Sequence, residues 1–224
     1  MPPGMIGSFA QIGASSEILY SFVIIIFSLM IYLGTKEIYN LSSDKGIGYF
    51  RDAFLFFSVA YFLRAIIKLA LINFNLRPKN FEYFFLIQEI SILLFMFFSS
   101  IAIFSLLQGV LVKKFKSLNT SIYSYLFAFL ISFVVFFSKV KEVYFGINLF
   151  LLLIVLFVIF YSHNYSESKD NLFYIVYILL SFFWILNILD TLIPQFLQNL
   201  QLLIYTLSTL TFSFIAYKVL RKVG

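Results

Sequence analysis

The sequence predicts an all-α membrane protein built as a bundle of seven transmembrane helices. Three observations carry that prediction. Of the 224 residues, 62% are hydrophobic and 12% charged, and the mean hydropathy is +1.00. A soluble domain of this size needs a far larger polar shell. The 32 Phe and 15 Tyr are too many for one globular core, while 4 Pro and 9 Gly leave few helix breaks. Finally, apolar runs of roughly twenty residues recur along the chain, the length that crosses a hydrocarbon layer about 30 Å thick as a helix. A membrane β-barrel would instead need short segments of alternating apolar and polar residues, and these are absent.

Seven runs qualify, at about 17–39, 49–74, 82–112, 120–138, 143–162, 171–193 and 198–220. Residues 1–16 form a short non-cytoplasmic tail without a basic run, so no cleaved signal peptide is expected. Span 1 starts at Glu17 and stops at the polar stretch NLSSDKGIG. Span 2 holds Tyr61, Arg64 and Lys68 and ends at NLRPKN. Span 3 carries Gln88 and Glu89 near its start, then Ser99, Ala102, Ser105 and Gly109. Those small side chains make a stripe on which a neighbouring helix can pack closely. KKFKSLN, SKVKE and SHNYSESKD punctuate the chain after spans 3, 4 and 5. Span 6 contains Trp184, Asn187 and Asp190 and ends at PQFLQN. Trp184 and the Tyr residues near span ends suit packing and interface anchoring. Thr206, Ser208, Thr209, Thr211 and Ser213 of span 7 suit backbone hydrogen bonding and packing, or the lining of a pathway. No connection is long enough for a soluble domain, so residues 17–224 read as one membrane domain.

Basic residues orient the bundle. With the N-terminus outside, the inner side holds Lys36, Lys45, Arg51, Lys113, Lys114, Lys116, Lys169, Lys218, Arg221 and Lys222, and the outer side Arg77, Lys79, Lys139 and Lys141. Ten against four predicts N-terminus outside and C-terminus inside. The net charge of +6 is then cytoplasmic anchoring, and no nucleic acid is expected as a partner. The lipid bilayer is the expected surrounding, in a multi-pass arrangement in the cell membrane.

Seven spans of this polarity divide as three, a linker helix, and three, giving a possible 3+1+3 parallel repeat. LFFSVAYFLRAI in span 2 lies against ILLSFFWILNIL in span 6, matching Tyr61 to Trp184 and Arg64 to Asn187.

Arg64 and Lys68 are the informative residues. A charge near the bilayer centre costs about 2.5–3.5 kcal/mol on insertion scales, so both cations should face protein or water. Phe57, Tyr61, Arg64 and Lys68 share one helical stripe. At 1.5 Å per residue, Lys68, Arg64, Glu89, Asp190 and Asn187 lie roughly 6 to 14 Å from the outer ends of their helices. Gln88 is beside Glu89, and Glu17 begins span 1 on the same side. This layer predicts that Arg64 and Lys68 approach Glu89 and Asp190. It reads either as a structural lock between helices or as an outward-open polar cavity for a small ligand or ion. An unmatched Arg there would favour an anionic solute.

Several chemistries are not expected. There is no Cys, and His163 is the single His, so thiolate chemistry, disulfides and His-rich metal sites are out. No metal or other cofactor is called for. GIG at 46–48 lacks the third glycine and the lysine signature of a nucleotide loop. Lys218 is at the end of span 7, leaving no mid-span lysine for a retinal Schiff base. No nucleophile–base pair suggests an enzyme. Passage of a small polar or anionic solute or ion is the favoured expectation. The alternative is a membrane sensor or accessory subunit, whose short inner loops would need a second copy or a separate membrane or cytoplasmic partner to read them.

Overall fold

The computed structural model of the chain describes residues 3–75, 81–112, 120–138, 140–165, 171–193 and 197–223. Side chains are described for most of these, with Gln88 and His163 among the exceptions. Arg77, Lys79, Lys113, Lys114, Lys116, Lys139 and Lys169, which carry much of the orientation argument, lie outside the described residues, as does the side chain of Lys222.

The described residues form α1 (Pro3–Gly34), α2 (Lys36–Ser42), α3 (Lys45–Asn75), α4 (Phe81–Leu111), α5 (Thr120–Ser138), α6 (Lys141–Tyr165), α7 (Asn171–Leu192) and α8 (Gln198–Val223). Six helices are long and apolar enough to cross a membrane, and α5 contributes a shorter apolar stretch, Ile122–Ser138. The chain is a multi-pass membrane protein with a seven-helix bundle. Its lipid-facing surface includes exposed Phe129, Phe133, Phe137, Leu153 and Phe160, an arrangement that only a hydrocarbon surrounding makes favourable.

Two features refine the expected boundaries. The segment expected as a tail is helical from Pro3 onward and continues α1. Proline suits the first helical position because its φ is preset and its missing N–H has no helical partner there. The polar stretch after span 1 contains its own short helix, α2. Ser43 ends α2 at φ 50° and donates its N–H to Tyr39 O at 2.8 Å. Asp44 then caps α3, with Oδ1 accepting the Gly46 N–H at 2.7 Å.

The backbones close into a ring in the order α1, α3, α4, α6, α7, α8, and α8 returns to α1. α5 packs on the outside of α4 and meets α6 only slightly. This neighbour order is compatible with the possible parallel 3+1+3 repeat, α1, α3 and α4 forming one triplet and α6, α7 and α8 the other. A two-fold axis along the bundle would carry α1 onto α6, α3 onto α7 and α4 onto α8, and the α4–α6 junction onto the α8–α1 junction.

Glycines set the closest helix approaches. A Cβ on Gly46 would meet Gly109 O at 2.9 Å, and one on Gly109 would meet Gly46 O at 3.1 Å. The GIG stretch and the small-residue stripe of α4 therefore serve one helix crossing, with Ser99, Ala102 and Ser105 also buried. Thr206, Thr209 and Thr211 donate to carbonyls of their own helix, as expected for backbone bonding.

The interior is aromatic over much of its height. Phe50, Phe54, Phe57 and Tyr61 of α3 are all buried along one stripe. Phe54 meets Phe212 at 6.0 Å between ring centroids, Phe57 meets Trp184 at 6.4 Å, and Phe183 meets Phe212 at 4.9 Å. Trp184 is thus an interior residue rather than an interface anchor. Its Nε1 donates to Asn148 O at 3.2 Å, which satisfies a buried donor. This aromatic layer is the floor on which the polar site stands.

A charged cavity between two helix triplets

Each charged residue of the site is placed by helical spacing. On α1, Glu17, Tyr20, Ser21, Ile24 and Ile31 make one buried stripe, since positions three and four apart share a face. On α3 the stripe that buries Phe57 and Tyr61 continues to Arg64 and Lys68. On α7, Trp184, Asn187 and Thr191 repeat at three and four residues, with Asp190 beside them. These three faces converge above the aromatic floor.

Arg64 spans the convergence. Its Nε donates to Glu17 Oε1 at 2.9 Å and its Nη2 donates to Asp190 Oδ2 at 3.2 Å. Lys68 Nζ reaches Glu17 Oε2 at 2.7 Å. The side chains of Glu17 and Asp190 are 9% exposed, that of Arg64 is 18% and that of Lys68 is 39%. Arg64 also lies over Phe95 at 5.4 Å and over Tyr61 at 5.9 Å, where the ring faces attract the cation.

A hydroxyl layer lies beneath. Tyr61 Oη donates to Asn187 Oδ1 at 2.7 Å and Tyr20 Oη donates to the same oxygen at 3.4 Å. The two hydroxyls are 3.1 Å apart, and Asn187 Nδ2 donates to Phe183 O at 2.9 Å. Asp190 Oδ1 accepts from Gln201 Nε2 at 3.2 Å, and that nitrogen also donates to Tyr205 Oη at 3.0 Å. Tyr205 stacks on Tyr20 with centroids 4.8 Å apart. Every charged group is thus tied to a neighbour that satisfies it.

These groups surround a cavity of about 220 Å³. α1, α3 and α4 contribute Glu17, Arg64, Lys68, Ser91, Ile92 and Phe95, while α6 and α7 contribute Tyr144, Asn148, Trp184, Asn187, Asp190 and Thr191. The cavity lies on the boundary between the two triplets, and half-exposed Lys68 and exposed Thr191 mark its mouth.

The expected layer forms, with one change of partner. Arg64, Lys68, Asn187, Asp190, Tyr61 and Glu17 come together. Glu17, rather than Glu89, is the carboxylate that holds both cations, and Glu89 does not line the cavity. At 100° per residue, Glu89 points on the order of 115° away from the mean direction of Ser91, Ile92 and Phe95. Depth alone could not reveal that rotation. The side chain of Gln88 lies outside the described residues. Tyr20, Tyr144, Asn148, Gln201 and Tyr205 were not expected in the site. For Tyr20 a signal existed: Glu17, Tyr20, Ser21, Ser28 and Thr35 place the polar groups of span 1 on a single stripe, the face that should turn inward. The charges also balance, because two cations meet two carboxylates, and this removes the unmatched Arg on which an anion preference rested. Among the described residues, no group of three or more acidic, His or Cys side chains could hold a metal ion.

Over 213 residues the chain is 32% identical to an uncharacterized protein of Archaeoglobus fulgidus, a match covering 93% of this chain and 92% of that one. No family model and no solved structure matches the chain.

Proposed function

The chain belongs to the family of that archaeal protein, whose match covers 93% of it, and we propose that its function is to bind a small polar solute in the charged cavity and pass it across the membrane. The observation that carries this reading is the position of the cavity. It is lined by both triplets, opens beside Lys68, and ends on the aromatic layer around Trp184. A purely structural ion pair has no need of an adjoining space of about 220 Å³. Rocking of one triplet against the other would open the opposite end, as in repeat-built transporters. The reading assigns no catalytic step, because Glu17 and Asp190 are held by cations rather than by each other.

The test is flux of small polar solutes into proteoliposomes containing only this chain. Arg64→Lys keeps the charge but loses the planar fork, and Ser91→Trp fills the cavity without removing a charge. Transport predicts that both variants fold and that both lose flux. Binding without flux would instead favour a membrane sensor or accessory subunit read by a separate partner.

A further inference from the structure

The two walls of the cavity carry opposite net charge. The first triplet contributes Glu17, Arg64 and Lys68, an excess of one positive charge, and the second contributes Asp190. Two of the three ion pairs, Arg64–Glu17 and Lys68–Glu17, lie within the first wall. Among the described residues, only Arg64–Asp190 crosses from one wall to the other.

From this division we infer that the cavity takes a zwitterion of amino-acid size, with its carboxylate toward Arg64 and Lys68 and its ammonium toward Asp190. This rests on the solute-binding reading above and specifies its ligand class. A lone anion would satisfy the first wall but would face Asp190 across the cavity. A lone cation would pair with Asp190 but would meet Arg64 and Lys68. A zwitterion lying across the gap replaces the single crossing pair with two pairs of the same sense, so no charge is left uncompensated in a low-dielectric site. Glu17 keeps Nε of Arg64, and the incoming carboxylate takes the Nη2 that Asp190 releases, together with Nη1 and Lys68 Nζ. Phe95, Tyr144 and Trp184 supply apolar wall for a short side chain. The volume of about 220 Å³ accommodates a small amino acid but not a peptide or a sugar oligomer.

The chain contains a single Trp, and Trp184 lines this cavity, so intrinsic fluorescence reports its filling directly. The purified full chain in detergent is titrated with glycine, L-alanine, L-serine and L-leucine, with propionate and ethylammonium as single-charge controls and propionamide as an uncharged control. Saturable change in Trp184 emission with one or more amino acids, and with none of the controls, is the expected result. A thermal upshift of about 5 to 10 °C at roughly a hundred times the Kd should accompany it. Asp190→Asn should weaken amino-acid binding at least tenfold. If that variant does not fold, Arg64→Lys supplies the same comparison at the other wall. A response to propionate or ethylammonium as strong as that to any amino acid overturns the zwitterion assignment while leaving a solute site in place. A response to propionamide alone does the same. No response to any compound overturns both the zwitterion and the solute-binding reading.

Discussion

Replacing Glu17 with Gln is the sharpest stability test of the site. The change is nearly isosteric, so it removes charge with little loss of packing. Glu17 holds Arg64 at 2.9 Å and Lys68 at 2.7 Å. Breaking a buried ion pair by removing one partner costs about 3–5 kcal/mol. The low end applies here, because Asp190 still faces Arg64 at 3.2 Å. The Lys68 arm adds little, since its side chain is 39% exposed and exposed pairs contribute about 0–1 kcal/mol. The Gln oxygen can still accept from Arg64, which recovers about 1 kcal/mol. The expected net loss is therefore about 2–3 kcal/mol, or about 5 to 10 °C in Tm for a chain of this size. Equilibrium unfolding in mixed micelles, followed by Trp184 fluorescence, measures it. Glu17→Gln should cost at least about 1 kcal/mol less in an Arg64→Met background than in wild type, since the Arg64–Glu17 pair is then already absent. A Glu17→Gln variant within about 0.5 kcal/mol of wild type would refute the assignment of Glu17 as the principal partner.

Two further outcomes are expected. In intact cells an impermeant thiol reagent should label Val140→Cys but not Ser117→Cys in this Cys-free chain, and the reverse pattern would invert the topology inferred from the basic residues. Gly46→Leu should force α3 from α4, because even its Cβ meets Gly109 O at 2.9 Å; the expected cost is about 1–3 kcal/mol, and unchanged unfolding would show that the crossing is not close.

What the sequence determined by itself was the part that each segment settles alone. Whether a run of residues enters the membrane as a helix depends on its own hydropathy and length, because its backbone must bond within itself wherever water is absent. Seven apolar helices, and the need of Arg64 and Lys68 for interior partners, followed from that, although the helix of span 1 starts well before the expected limit, at Pro3. Depth was legible too, since rise along a helix is a fixed distance per residue, and it put Glu17, Arg64, Lys68, Asn187 and Asp190 in one layer. Rotation about each helix axis was not legible. Glu17 and Glu89 both lie near the outer ends of their spans, and only the packing of α1 and α4 against α3 decided which one faces Arg64. Likewise, the polar stripe of span 1 marks the face that carries Tyr20 but not its partner Tyr61, and nothing in α8 announces that Gln201 reaches Asp190. The ring order, the exclusion of α5 from it, and the separation of charge across two walls arise from neighbours distant in the chain. In a bilayer those neighbours are chosen by close fit and polar pairing rather than by hydrophobic burial, so the tertiary structure alone fixed them.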